Sequence, residues 1–181
     1  MSWLNSFKKD PLVDFQLQLV KYSAEAANIH CGKNLSDEVD SRWIAVQFEC
    51  LYFYLFLTDL NLFNKWGAEK RDKVMDEIGL QTINAALDPI CRGQPKDVVE
   101  KMKGECIDNF KTRFNEYAKC KIAFHGGERE SLKGTLFWEF SKIIAESTGR
   151  ETNIFGIVNI QLITSQSPVL KEIRKFADNI G

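Results

Sequence analysis

The sequence is poor in the residues that most familiar active sites require. It holds only two histidines, His30 and His125, in 181 residues. A ferritin-like di-iron bundle needs Glu-x-x-His pairs on two helices, and neither histidine has a glutamate three positions before it. Hemerythrin-like and zinc-finger sites need more histidines or paired cysteines. The five cysteines are Cys31, Cys50, Cys91, Cys106 and Cys120; their number is odd, their spacings are wide, and no Cys-x-x-Cys occurs. They read as free, reduced thiols. Glycine-rich phosphate cradles and the Gly-x-Ser-x-Gly elbow are missing too. His125-Gly126-Gly127, with Ser131 after it, reads as a turn and a helix cap rather than a base beside a nucleophile. These patterns predict no catalytic residue, no metal and no cofactor.

A charge of one sign is also lacking. Twenty-four basic residues face 25 acidic ones, for a formal charge of −1. A nucleic-acid binder carries a basic bias, so none is expected here. The stretch Lys96 to Lys121 leans basic but includes Asp97, Glu100, Glu105, Asp108 and Glu116, and reads as a solvated helix face. Residues 1–10 hold no continuous apolar core that would mark a secretion signal. With the reduced thiols, that predicts the cytoplasm. No internal repeat and no dividing linker is visible, so residues 1–181 are expected to form one domain.

Apolar residues, by contrast, make up 44 % of the chain and aromatics 12 %. They concentrate between Arg42 and Phe63 (RWIAVQFECLYFYLFLTDLNLF), where 16 of 22 residues are apolar or aromatic. A strand usually runs about 3–10 residues, so the stretch reads as a helix. A membrane span needs about 20 nearly uninterrupted apolar residues. Here the longest run is Cys50–Leu57, and Arg42, Gln47, Glu49, Asp59 and Asn61 break the remainder. The expectation is a buried central helix, about 37–66, starting after Ser36, with no membrane contact. On a helical wheel Gln47, Tyr54, Thr58, Asn61 and Lys65 share one sector, the expected wet stripe. Glu49 falls nearly opposite, with Phe53 and Phe56 on its side and Arg42 two turns back. A carboxylate there must pair with Arg42, pair with a donor from another helix, or stay protonated.

Local signals place the other helices. Asp10-Pro11 caps and starts a helix over about 11–30, with an apolar stripe of Leu12, Phe15, Leu19, Tyr22, Ala26 and Ile29, and Gly32 stops it. His30, at that helix's C-terminus, is expected to be partly exposed. A helix runs from Ala68 to Asp88-Pro89, lined by Val74, Met75, Ile78, Thr82 and Ala86, with Gly79 as a potential bend. Pro95 opens a helix to about 122. Glu130 or Ser131 opens another, lined by Leu132, Leu136, Phe140 and Ile143, and Gly149 ends it. Residues 153–164 hold five Ile or Val residues, which favours a strand. A lone strand leaves its backbone unsatisfied, so a buried helix is expected. Ser167-Pro168 opens a terminal helix over 168–179. Residues 1–9, with Trp3, Leu4 and Phe7, read as a short docking or flexible arm. The sum is an all-α, single-domain bundle of about seven helices around the central one.

Function is less legible. The leading expectation is a non-catalytic protein that acts by protein–protein association, as a homodimer or another homo-oligomer, with one helix leaving an apolar strip uncovered. The alternative is a sensor for a small apolar or aromatic ligand, in a pocket beside the central helix formed by Arg42, Glu49, Tyr52, Phe53 and Phe56. An enzyme using Glu49 as acid or base ranks third, because the sequence names no second polar group to converge on it.

Overall fold

The computed structural model describes residues 10–33, 40–121 and 133–180. Helix α1 (Pro11–Cys31) begins where the sequence places it. The Asp10 carboxylate accepts from the Leu12 N–H at 2.9 Å, and Pro11 takes the first helical position. Gly32 ends it at φ 66°. The Lys33 N–H then donates to the Asn28 carbonyl at 2.9 Å, closing the last turn. The buried face is turned about one residue from the expected stripe. It carries Phe15, Gln16, Leu19, Ser23, Ala27 and His30, and Ile29 is 57 % exposed.

Helix α2 (Ser41–Trp66) is capped by Asp40, which accepts from the Trp43 N–H at 2.7 Å. The start expected after Ser36 moves to Ser41; residues 34–39 lie outside the described ones. Every residue from Cys50 to Asp59 is buried. The expected wet stripe is therefore wrong over most of its length: Gln47, Tyr54 and Thr58 are buried, Asn61 is half-buried and only Lys65 is exposed. Helices α1 and α7 pack on α2; Gln47 Oε1 stays buried without a hydrogen-bond partner among the described residues, whereas Thr58 and Asn61 find backbone carbonyls. The Thr58 hydroxyl donates to the Tyr54 carbonyl at 2.8 Å, and Asn61 Nδ2 to the Leu57 carbonyl at 2.7 Å.

A single residue, Gly67 at φ 74°, turns the chain from α2 into α3 (Ala68–Leu87). Ile78, Gly79, Thr82, Ile83, Ala86 and Leu87 are its buried residues. Helix α4 (Lys96–Tyr117) follows Pro95 but stops before the expected 122. Beyond it the chain turns, and Lys121 forms one parallel bridge with Thr135. Its N–H donates to the Gly134 carbonyl at 2.9 Å, and the Leu136 N–H donates to its carbonyl at 3.1 Å. That bridge sets the start of α5 (Leu136–Ser147), with Thr135 as cap. The start expected at Glu130 or Ser131, and the loop His125-Gly126-Gly127, fall outside the described residues.

Residues Ile154–Ser165 form helix α6, capped by the Asn153 side chain. The helix over strand reading holds, but the burial does not. Only Ile157, Ile160 and Thr164 are buried, whereas Ile154, Phe155 and Leu162 are 54 %, 79 % and 53 % exposed. The physical reason is neighbour number: α6 packs chiefly on α5, so its other sides meet solvent. Helix α7 (Val169–Asn179) buries Val169, Ile173, Phe176 and Ala177, and Phe176 stacks on Phe15 of α1 at 3.8 Å between ring centroids. The result is an all-α bundle, 81 % helical among the described residues and without a strand there. Helix α2 lies at its centre, in contact with α1, α3, α4, α5 and α7.

Candidate functional site

Two acids interrupt the apolar surface of α2, and each one faces an arginine from a neighbouring helix. Glu49 points at α4. Arg113 Nε donates to both Glu49 oxygens at 2.9 Å, and its Nη2 lies 2.9 Å from Oε1. The same guanidinium reaches Glu116 through Nη1 at 2.7 Å. The Glu49 side chain is 14 % exposed and Arg113 28 %. Burial raises the Glu49 pKa, and the Arg113 charge and hydrogen bonds pull it partly back. Burial also works against the Arg113 charge, and the hydrogen bonds to Glu116 and Glu49 more than restore it. A forked arginine–carboxylate pair of this geometry is a clamp between helices.

Ten residues further along α2, Asp59 points at α3. Arg71 Nη2 donates to Asp59 Oδ2 at 2.8 Å, and Arg71 Nε faces Oδ1 at 2.5 Å without hydrogen-bonding geometry. Arg71 also reaches Asp72. Burial raises the Asp59 pKa, against the opposing pull of Arg71. The two pairs pin α4 and α3 to the central helix in the same manner.

Of the five residues expected to form one pocket, the structure keeps four on the α4–α5 side and separates the fifth. Arg42 is exposed in the first turn of α2, near Asp40 and Cys31, and Glu49 pairs with Arg113 instead. Tyr52 contacts Phe110 at 5.9 Å between ring centroids, and burial, with the Cys106 thiol beside it, holds its hydroxyl neutral. Phe53 stacks on Phe140 at 4.1 Å and meets the edges of Phe137 and Tyr117 at 5.3 and 5.6 Å. Phe56 meets Phe114 edge-on at 5.0 Å. These spacings belong to packed aromatic rings. The rings of α4 and α5 occupy the space that a ligand pocket beside Phe53 needs.

Sequence reasoning missed Arg113 and Arg71; the first was read within the solvated stretch Lys96 to Lys121. A signal was there. Cys106, Phe110, Arg113 and Tyr117 are spaced by four, three and four residues, as are Arg71, Met75, Ile78 and Thr82. Each arginine sits on the apolar stripe of its helix and so faces the core. His30 was misplaced as well. Its imidazole is buried, 2 % exposed, and burial, with the Arg150 charge, lowers its pKa to about 4.

The chemistry open to these groups is narrow. Burial pushes the thiols of Cys31, Cys50, Cys106 and Cys120 up, so they remain protonated near neutral pH, and a thiol is a weak nucleophile. The Tyr117 hydroxyl is buried beside the Glu49 charge without a hydrogen-bond partner among the described residues, and burial and that charge hold it neutral. Among the described residues no three His, Cys, Asp or Glu side chains converge as metal ligands. No protein family, curated protein or solved structure matches this chain.

Proposed function

We propose that this protein acts without catalysis, by association, and that its partner is a second copy of itself. The observation that carries this is the outer face of α6, where Ile154, Phe155 and Leu162 are more than half exposed. The helix carries no charged residue along its 12 positions. Phe155 and Leu162 are seven residues apart and Val158 stands between them, so they form one strip. Contiguous exposed apolar surface of this kind marks interaction sites. An uncharged strip offers no charge pattern for a different partner to match, whereas a second copy presents the same length and polarity. A two-fold pairing of identical patches is also the commonest way that chains self-associate.

The reading places the protein in the cytoplasm, away from nucleic acid and membranes. Its balanced charge supports the first exclusion. The second is supported by α2: it alone among the described helices is long and apolar enough to cross a bilayer, and 72 % of that window is buried inside the fold. Sedimentation equilibrium tests the association. The wild-type chain is expected to dimerise reversibly, and Phe155→Asp with Leu162→Asp to sediment as a monomer with unchanged circular dichroism. A monomeric wild type at the highest attainable concentration, or a double variant that still dimerises, overturns it.

A further inference from the structure

Helices α1 and α2, the last turn of α6 and the link from α6 to α7 line a partly open hollow of about 150 Å³. One water needs roughly 10–15 Å³ of such space, so the hollow has room for a small molecule. Its wall is apolar at Ile29 and Ile163 and polar at His30, Tyr54 and Ser167. The Tyr54 hydroxyl lies beside Ser167. His30 is not satisfied: it is 98 % buried, and its Nδ1 has no hydrogen-bond partner among the described residues. Buried polar atoms are nearly always paired, and leaving one unpaired costs stability. The imidazole is neutral at physiological pH, so it offers one donor and one acceptor nitrogen and no charge. Glu25, also on the wall, already faces Lys21 at 3.8 Å.

We propose that this hollow binds a small uncharged molecule of about phenol size, its apolar body against Ile29 and Ile163 and its hydroxyl hydrogen-bonded to His30 Nδ1. A hydroxyl both donates and accepts, so it suits either tautomer of the imidazole. An ionised ligand is disfavoured, because a neutral imidazole and two isoleucines do not replace the hydration of a charge. The site lies beside the central helix, as a ligand bundle requires, but on the α1 side rather than the Glu49 side. It stands independently of the association proposed above.

The test is a titration of the full-length chain with phenol and with benzene, followed by isoleucine methyl resonances. Phenol is expected to shift Ile29 and Ile163 saturably, with a Kd on the order of 1 mM for so small a ligand. Benzene, without the hydroxyl, is expected to bind about tenfold more weakly, and His30→Leu to weaken phenol by a similar factor. Should His30→Leu fail to fold, Ala26→Leu keeps the imidazole and fills the hollow, and is expected to abolish the saturable shift. Shifts that stay linear in ligand, benzene binding as tightly as phenol, or an Ala26→Leu variant that binds unchanged would each overturn the proposal. A hollow holding only water gives the first of these.

Discussion

Helices α2 and α6 are both apolar around most of their circumference, and the fold treats them in opposite ways. From Cys50 to Asp59 no residue of α2 is more than marginally exposed, although that helix carries Gln47, Glu49, Thr58 and Asp59. Helix α6 carries no charge at all, yet leaves Phe155 79 % exposed. The more polar helix is the buried one. Burial follows the number of neighbours, since α2 touches five helices and α6 chiefly one. The acids and Thr58 inside α2 are tolerated because each acid has an arginine and the hydroxyl of Thr58 has a carbonyl, while Gln47 Oε1 has no hydrogen-bond partner among the described residues. The apolar groups outside α6 lack a cover from the described residues.

The sharpest way to break this comparison is to truncate one ring on each helix. Phe53 is fully buried among four rings, and Phe53→Ala is expected to destabilise the fold by about 4 kcal/mol. Phe155→Ala, measured below the association concentration, should stay within about 0.5 kcal/mol of wild type. Denaturant unfolding of both variants checks the pair, and equal losses would erase the distinction between the helices.

A second prediction concerns the hollow that Tyr54 of α2 and Ile163 of α6 both line. His30 there has its pKa lowered from 6.5 to about 4. The unfolded chain therefore takes up the proton first as pH falls. The stability that His30 contributes is complete above pH 6.5 and is lost as pH drops through about 4. The shift corresponds to about 3 kcal/mol over that window. Unfolding midpoints measured from pH 7 to 4 should follow this slope, and His30→Gln should flatten it.

A smaller effect sharpens the account of how α2 accepts charge. Glu49→Gln removes the forked partner of Arg113, which keeps Glu116 and some solvent. Loss of a charged hydrogen-bond pair in such a setting is expected to cost about 2 kcal/mol. A double-mutant cycle with Arg113→Met measures the coupling, and a value near zero would mean that the pair clamps nothing.

The boundaries that sequence showed are the ones written in local chemistry. Asp10-Pro11, Gly32, Pro95 and Ser167-Pro168 all mark observed ends, because a cap or a proline acts over one turn. The start of α5 was hidden because Thr135 is fixed by a bridge to Lys121, a contact between residues 14 positions apart in sequence. Burial was the harder matter. Tyr54 and Thr58 look like a wet stripe on α2 alone, and only the arrival of α1 and α7 makes them core. Similarly, the buried setting of Glu49 was legible from its own helix, whereas its partner Arg113 lies on another helix, 64 residues away in sequence. The exposure of α6 was illegible for the converse reason, since an apolar helix gives no sign of how few neighbours it will have.

Hydrogen exchange followed as a function of protein concentration tests the central claim most directly. The account predicts that α2 amides exchange slowest at every concentration, and that α6 amides gain protection only as concentration rises. Protection of α6 that matches α2 in dilute solution, or that does not change with concentration, would contradict it.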